Sequence, residues 1–319
     1  MPVTSASTPT RLGLGGAGIG NHRVAMTDAA ARQVLDEAWS VRVRLFDTAP
    51  HYGLGLSERR LGDFLQSKPR TQFQVSSKVG RLLVPQANPE GALDDEGFLV
   101  PADARRAWDF SAEGVRTSVA QSLTRLGLEF IDAVYLHDPE RWDLDAALAE
   151  GLPALQSLQD EGLVGRIGVA SMKVEALLAA ARTGQVDELM VAGRYTLVDQ
   201  GAAELLLPMC EDKGIAVVAA AVFNGGLLAG TPSADSTFDY AAVPPEVLRR
   251  AEQLELDCTA AGVPLAAAAM QFPLRHPAVR SVVVGAVEPG QMETNARLLA
   301  TPVPEALWAQ LAQRDRVRT

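Results

Sequence analysis

Four side chains able to move protons fall at comparable places in this sequence. The run RVRLFD ends in Asp47, QFQVSSK in Lys78 and AVYLH in His137, while Tyr52 lies five residues beyond Asp47 in DTAPHYGLGLSE. A carboxylate, an ammonium and an imidazole closing three extended runs, with a phenol on the loop after the first, make a set for general acid–base work. One charged residue at a strand end ordinarily marks the solvated lip of a sheet. Three of different chemistry at the same place on three strands point to a shared site. Ser171 closes a fourth such run, GRIGVAS. Metal chemistry has less to build on: His22, His51, His137 and His276 are scattered and Cys210 stands far from Cys258, so no metal site is expected.

The elements that must carry these groups follow one rhythm. Short apolar runs alternate with amphipathic helical patterns: RVRLFD then SERRLGDFLQ, QFQVSSK then a long loop and EGVRTSVAQSLTRLG, DAVYLHD then LDAALAEGLPALQSLQDEG. The rhythm continues with GRIGVAS and KVEALLAAARTG, ELMVAGRY and AAELLLPMCEDKG, IAVVAAAVF and its loop, and SVVVGA before QMETNARLL. Alternation throughout means parallel strand–helix–strand units. With no linker to divide them, they predict one α/β domain over residues 1–319, a (β/α)8 TIM barrel whose C-terminal strand ends converge on one face. Two stretches, about 80–110 and about 224–245, have no period and are expected to be lids or binding loops. GLGGAG at 13–18 satisfies G-x-G-x-x-G, but no core strand precedes it and no helix follows directly, so it reads as a Gly-rich first barrel strand.

Composition narrows the partners. Hydrophobic residues at 47% against 21% charged fit a folded globular chain, and no apolar run is long enough to span a bilayer. The net charge of −10 disfavours nucleic acid or an anionic membrane surface, leaving a small molecule as the expected partner. MPVTSASTPT lacks the basic start and apolar stretch of a secretory signal, and two distant cysteines suit a reducing compartment, so the cytoplasm is expected. Nothing in the pattern sets an oligomeric state.

FDTAPHYGLGLSERRLG, SSKVG, SLTRLGLEFIDAVYLHDPE, GLVGRIGVAS and VVVGAVEPGQMETN, in this order, resemble the aldo-keto reductase superfamily over nearly the whole chain. The resemblance implies that Asp47, Tyr52, Lys78 and His137 are a catalytic tetrad that passes a hydride between a nicotinamide and a carbonyl. Hydride arriving at a carbonyl leaves an alkoxide, which needs a proton donor. A free phenol is a slow acid–base group near neutrality, and a neighbouring ammonium favours its phenolate. Tyr52 is then the acid–base group, Lys78 its activator, Asp47 the balance for Lys78, and His137 the group orienting the substrate oxygen.

The same resemblance implies cofactor contacts. FNGGLLAG, through Phe223, Asn224, Gly225, Gly226 and Leu227, matches the loop after the seventh strand, whose backbone N–H groups approach phosphate. VVVGAVEPGQMETN matches the helix after the eighth, with N–H groups near Pro289 and Gly290. Matched on Asn295, the places where NADPH-preferring members carry lysine and arginine hold Gly285 and Gln291, with Glu288 between, so NAD is expected over NADP. The family's carboxamide-holding Ser-Asn and Gln are replaced by Ala170-Ser171 and Ala192, leaving Ser171, Arg194 and Phe223 as candidates there. These departures, with HDPE and AGRYTLVDQ, resemble the branch of D-threo-aldose 1-dehydrogenases, L-fucose and L-galactose dehydrogenases and pyridoxal 4-dehydrogenase. His51, Trp108, Phe110 and Trp142 are candidate substrate contacts whose faces suit a sugar or a pyridine. Three classes stay open: a dehydrogenase of an aldose or of pyridoxal, or a general carbonyl reductase; a non-catalytic cofactor-sensing subunit; and a metal-dependent barrel hydrolase.

Overall fold

A computed structural model describes residues 11–87, 91–239 and 241–313. The opening segment, whose lack of a secretory signal supported the cytoplasmic expectation, lies outside these residues. The chain begins with β1 (Leu12–Gly15), α1 (Asp28–Ser40), β2 (Leu45–Asp47), α2 (Leu56–Leu65) and β3 (Gln74–Val79). A hairpin of β4 (Arg81–Pro85) and β5 (Ala104–Trp108) precedes α3 (Ala112–Leu126) and β6 (Ile131–His137). There follow α4 (Leu144–Ala146), α5 (Leu152–Asp160), β7 (Val164–Ser171), α6 (Val174–Thr183), β8 (Glu188–Ala192), α7 (Leu206–Lys213) and β9 (Ala216–Ala220). A small hairpin, β10 (Thr237–Phe238) and β11 (Ala241–Ala242), leads to α8 (Pro245–Ala260), α9 (Leu265–Gln271), β12 (Val279–Gly285), α10 (Gln291–Ala300) and α11 (Glu305–Gln313).

Eight strands close a parallel barrel in the order β1-β12-β9-β8-β7-β6-β3-β2. Both faces of such strands are covered, which explains their near-continuous apolar runs. Inward side chains including Leu45, Tyr135, Met190, Val218 and Val283 fill the barrel, and a larger cluster packs between barrel and helices. The interior is therefore a packed core, and chemistry is left to the strand ends. Helix starts follow local rules: Thr27 accepts from the Ala30 N–H and Ser111 from the Gly114 N–H.

One expectation holds and two are refined. The glycines at 13–15 lie in β1, as a barrel strand requires. The stretch 80–110, read as aperiodic, contains the antiparallel β4–β5 pair, with Arg81 opposite Trp108. Its register is fixed by packing, since Leu83, Phe98 and Val100 form a small core with Leu54 against Tyr52. The helix read across LDAALAEGLPALQSLQDEG runs unbroken from Leu144 to Asp160 but widens into a π turn at Ala147–Gly151, just before Pro153, whose missing N–H cannot continue an ordinary ladder. Among the described residues no helix is long and apolar enough to cross a membrane, and no cluster of three metal-ligating side chains occurs.

Candidate active site

β2, β3 and β6 are neighbours in the barrel, so their C-terminal residues meet without any loop having to reach. Lys78 Nζ lies 2.7 Å from Asp47 Oδ2 and donates to the Thr48 carbonyl at 2.9 Å. Asp47 Oδ1 accepts from Ser76 Oγ at 2.8 Å, so both carboxylate oxygens are held. Lys78 and Asp47 are 2% and 4% exposed. Such a pair adds little net stability, since desolvation offsets the attraction, but it fixes the position of a charge. Burial alone would drive the proton from Lys78, yet the charges and hydrogen bonds of Asp47 and Tyr52 outweigh it and hold the ammonium above its ordinary range. Its Nζ also sits 4.7 Å from the Tyr52 ring centroid.

Tyr52 is fixed by its loop. Its N–H donates to the Ala49 carbonyl at 3.0 Å, and its ring stacks on Phe98 and meets His137 edge-on, each at 6.0 Å between centroids. His137 is kept neutral by burial, then by the surrounding cations Arg81 and Lys78, which push its pKa well below the usual imidazole value. A neutral imidazole can both donate and accept. The result is a phenol between an ammonium and a neutral imidazole, arranged to move one proton and hold one oxygen.

The hairpin supplies a wall that residue types alone did not reveal. Arg81, 3% exposed, pairs with Asp138 beside His137 and lies 4.9 Å over the Trp108 ring. Burial raises the Asp138 carboxyl against the pull of Arg81. His51 faces this wall, its ring 5.5 Å from that of His137. Trp142 is exposed at the rim and packs on Phe110. Phe110 itself corrects the expectation of a substrate contact. It is fully buried in the main core, its ring filling the space where a Cβ at Gly80 would sit, and Gly80 has φ +104°. Phe98, Arg81 and Asp138 were missed because a lone Phe in a loop and an Arg after a strand carry no periodic signal.

A groove of about 400 Å³ lies between the C-terminal ends of β9 and β12 and the loop after β1, lined by Phe223, Asn224, Gly225, Gly226, Gly285 and Val287 among others. Its chemistry suits a dinucleotide. Gly226 has φ +100°, open space lies where a side chain would stand at Gly226 and Gly285, and Asn224 Oδ1 is buried without a partner. His22, Arg23, Met172 and Asp239 also line it, residues the sequence did not single out.

Several expected contacts do not face this groove. Leu227 is fully buried in the core. Ser171 follows the inward-facing Ala170 and so points to the helix layer, its hydroxyl donating to Glu140 at 2.7 Å and accepting from the Lys173 N–H. Arg194 is occupied by the Met172 carbonyl, Asp199 and Asp239, which ties the β10–β11 hairpin down beside the groove. Asn295 is buried in α10, 3.9 Å from Met292 Sδ. The free N–H groups expected at the start of α10 are also taken. Glu37 of α1 accepts from Gly290 at 2.6 Å and Met292 at 3.2 Å, and Gln291 Oε1 accepts from Val287 at 2.7 Å. Glu288 is exposed beside them.

A family model described as the aldo/keto reductase family matches residues 11–316. The chain is 50% identical over 305 residues to the D-threo-aldose 1-dehydrogenase of a Pseudomonas species, covering 95% of this chain and 93% of that protein. It is 36% identical over 322 residues to the pyridoxal 4-dehydrogenase of Microbacterium luteolum, again covering 95% and 93%. The fold matches an aldo-keto reductase of Bacillus halodurans in its holo form, with a TM-score of 0.76 at 22% identity over 97% of this chain and 92% of that one. The strand-end groups, the groove and these matches lead to one conclusion: this chain belongs to the aldo/keto reductase family and is an NAD(P)-dependent oxidoreductase.

Proposed function

We propose that this protein oxidises the anomeric hydroxyl of an aldose, of the L-fucose, L-galactose or D-arabinose type, to the lactone, with NAD preferred over NADP and Tyr52 as the acid–base group. The observation that carries the reading is the buried Asp47–Lys78 pair held against Tyr52 and His137. A bound nicotinamide dinucleotide supplies the hydride acceptor. Tyr52, as phenolate beside the Lys78 ammonium, takes the proton of the anomeric hydroxyl as the C–H bond to the same carbon breaks and the carbonyl forms. Lys78 keeps its own proton through Asp47. His137, neutral, donates a hydrogen bond to the reacting oxygen. The Asp47 carboxylate accepts from Lys78 and Ser76, so its part is to position charge.

Phe223, Asn224, Gly225, Gly226 and Gly285 would hold the dinucleotide along the groove. The NAD preference is supported by Glu37 at the start of α10 and by Glu288 beside it. An added phosphate there would face two carboxylates, and the cap that could receive it is filled. The relative named pyridoxal 4-dehydrogenase and the Trp108–Trp142 side of the mouth support a second reading, oxidation of pyridoxal, also a cyclic hemiacetal. The cytoplasm suits an enzyme with two buried free cysteines. An NAD-reduction screen of purified protein against aldoses, pyridoxal and simple alcohols tests the reading. Turnover of pyridoxal without aldoses would replace the first substrate with the second, and turnover of neither would end both.

A further inference from the structure

Two polar atoms beside the acid–base centre are buried without a hydrogen-bond partner, Nδ1 of His51 and Nε of Arg81. The proton transfer proposed above assigns a role to neither side chain. His51 lies edge-on to His137 at 5.5 Å and 5.9 Å from the Tyr52 ring, so its imidazole borders the place where the substrate carbon must react. Arg81 reaches the same place from the hairpin, pinned by Asp138, the residue after His137. Both converge on one oxygen: Glu96 Oε2 is 3.9 Å from His51 Nδ1 and 3.8 Å from Arg81 Nη1. Those separations exceed a hydrogen bond, and the Glu96 side chain is 38% exposed, which makes it the movable member of the three. Burial and the charges of Arg81, Arg106, Arg141 and Lys78 keep His51 neutral, so it offers one donor and one acceptor. Buried polar atoms left unpaired in this way cost stability and call for an explanation, which a hydrogen-bonding group brought by the substrate would supply.

We propose that His51, Arg81 and Glu96 form a hydroxyl-recognition subsite next to the reacting carbon, and that the substrate is a polyhydroxylated cyclic hemiacetal presenting a ring hydroxyl to it. The subsite rests on the dehydrogenase reading above. A hydroxyl donates once and accepts twice, which matches a carboxylate acceptor flanked by imidazole and guanidinium donors. A ring lacking that hydroxyl leaves the buried donors unpaired, and sites of this kind reject such analogues strongly.

The experiment crosses substrate and protein changes. In the unmodified protein, kcat/KM for L-fucose should exceed that for at least one of its 2-, 3- and 4-deoxy analogues by roughly tenfold to a hundredfold. His51→Ala should erase most of that ratio, chiefly through KM for the parent sugar, and His51→Asn should restore part of it because an amide keeps a donor and an acceptor. NADH affinity, followed by fluorescence, and the melting temperature report whether the variants are folded. Arg81→Lys is a weaker probe because it disturbs a buried pair, so the outcome is decided at His51. Equal rates for every deoxy analogue in the unmodified protein, or a ratio that survives His51→Ala, would overturn the subsite and leave the dehydrogenase reading standing. Failure of the unmodified protein to oxidise any aldose would overturn both.

Discussion

Tyr52→Phe removes a single oxygen, and the surroundings of that oxygen set the size of the effect. The ring contacts survive: Phe98 and His137 at 6.0 Å, His51 at 5.9 Å and the Lys78 ammonium at 4.7 Å all touch the ring. The ammonium also keeps Asp47 at 2.7 Å and the Thr48 carbonyl at 2.9 Å. The folded state therefore loses one charge-assisted hydrogen bond among three, no more than about 2 kcal/mol. The chemical step loses its proton carrier, roughly 10²- to 10⁴-fold, or about 2.7–5.4 kcal/mol. The kinetic loss should thus exceed the structural one. Single-turnover NADH formation at saturating aldose measures the first, and melting with NADH fluorescence titration measures the second. Cofactor Kd should stay within about twofold, and the limb on which oxidation speeds up with rising pH should vanish. A single-turnover rate within fivefold of the unmodified protein, or a loss explained wholly by Kd, would refute Tyr52 as the acid–base group.

Three further outcomes follow from the same contacts. kcat/KM for NAD should exceed that for NADP by at least roughly tenfold, about 1.4 kcal/mol. Glu37→Gln with Glu288→Thr should narrow the gap in both kinetics and the Kd of 2′,5′-ADP, and an unmodified protein that prefers NADP would defeat the charge argument. Gln291 is left in place because it caps Val287. Trimming the segment between β4 and β5 removes Phe98 and Val100 from the small core against Tyr52, so substrate KM should rise much more than cofactor Kd; unchanged substrate kinetics would make this segment mere surface. Finally, His51 and His137 both have pKa values depressed below the usual 6.5 of a free imidazole. The unfolded chain then gains protons that the folded one refuses, so stability is complete above about pH 6.5 and falls below it, by up to roughly 2 kcal/mol per imidazole at pH 5. The raised Asp138 and Glu140 carboxyls act in the opposite sense, since the folded state gains their protons first as pH falls. His51→Gln should flatten the decline between pH 6.5 and 5 in denaturant titrations, and an unaltered slope would deny the burial penalty.

The strand–helix alternation and the residue types closing RVRLFD, QFQVSSK and AVYLH are local properties, readable from composition and period, and they carried both the barrel and Asp47, Lys78 and His137. Tyr52 was legible too, because a fixed short spacing ties it to Asp47. What the chain order could not convey is which side chains approach across barrel closure. Phe98 reaches Tyr52 from a loop without periodicity, and Arg81 finds Asp138 across 57 positions. Phe110, in the same stretch as Trp108, turns inward because Gly80 leaves room for its ring. Ser171 closes its strand as His137 does, yet the register sets His137 opposite Ala170, so Ser171, one residue on, faces outward. Glu37 meets the start of α10 across 253 positions, filling amides that the sequence leaves open to phosphate. Propensity and pattern act over a few residues and so specify elements. Pairings of buried charges and orphan donors are selected by desolvation, which exists only once the elements have closed around them.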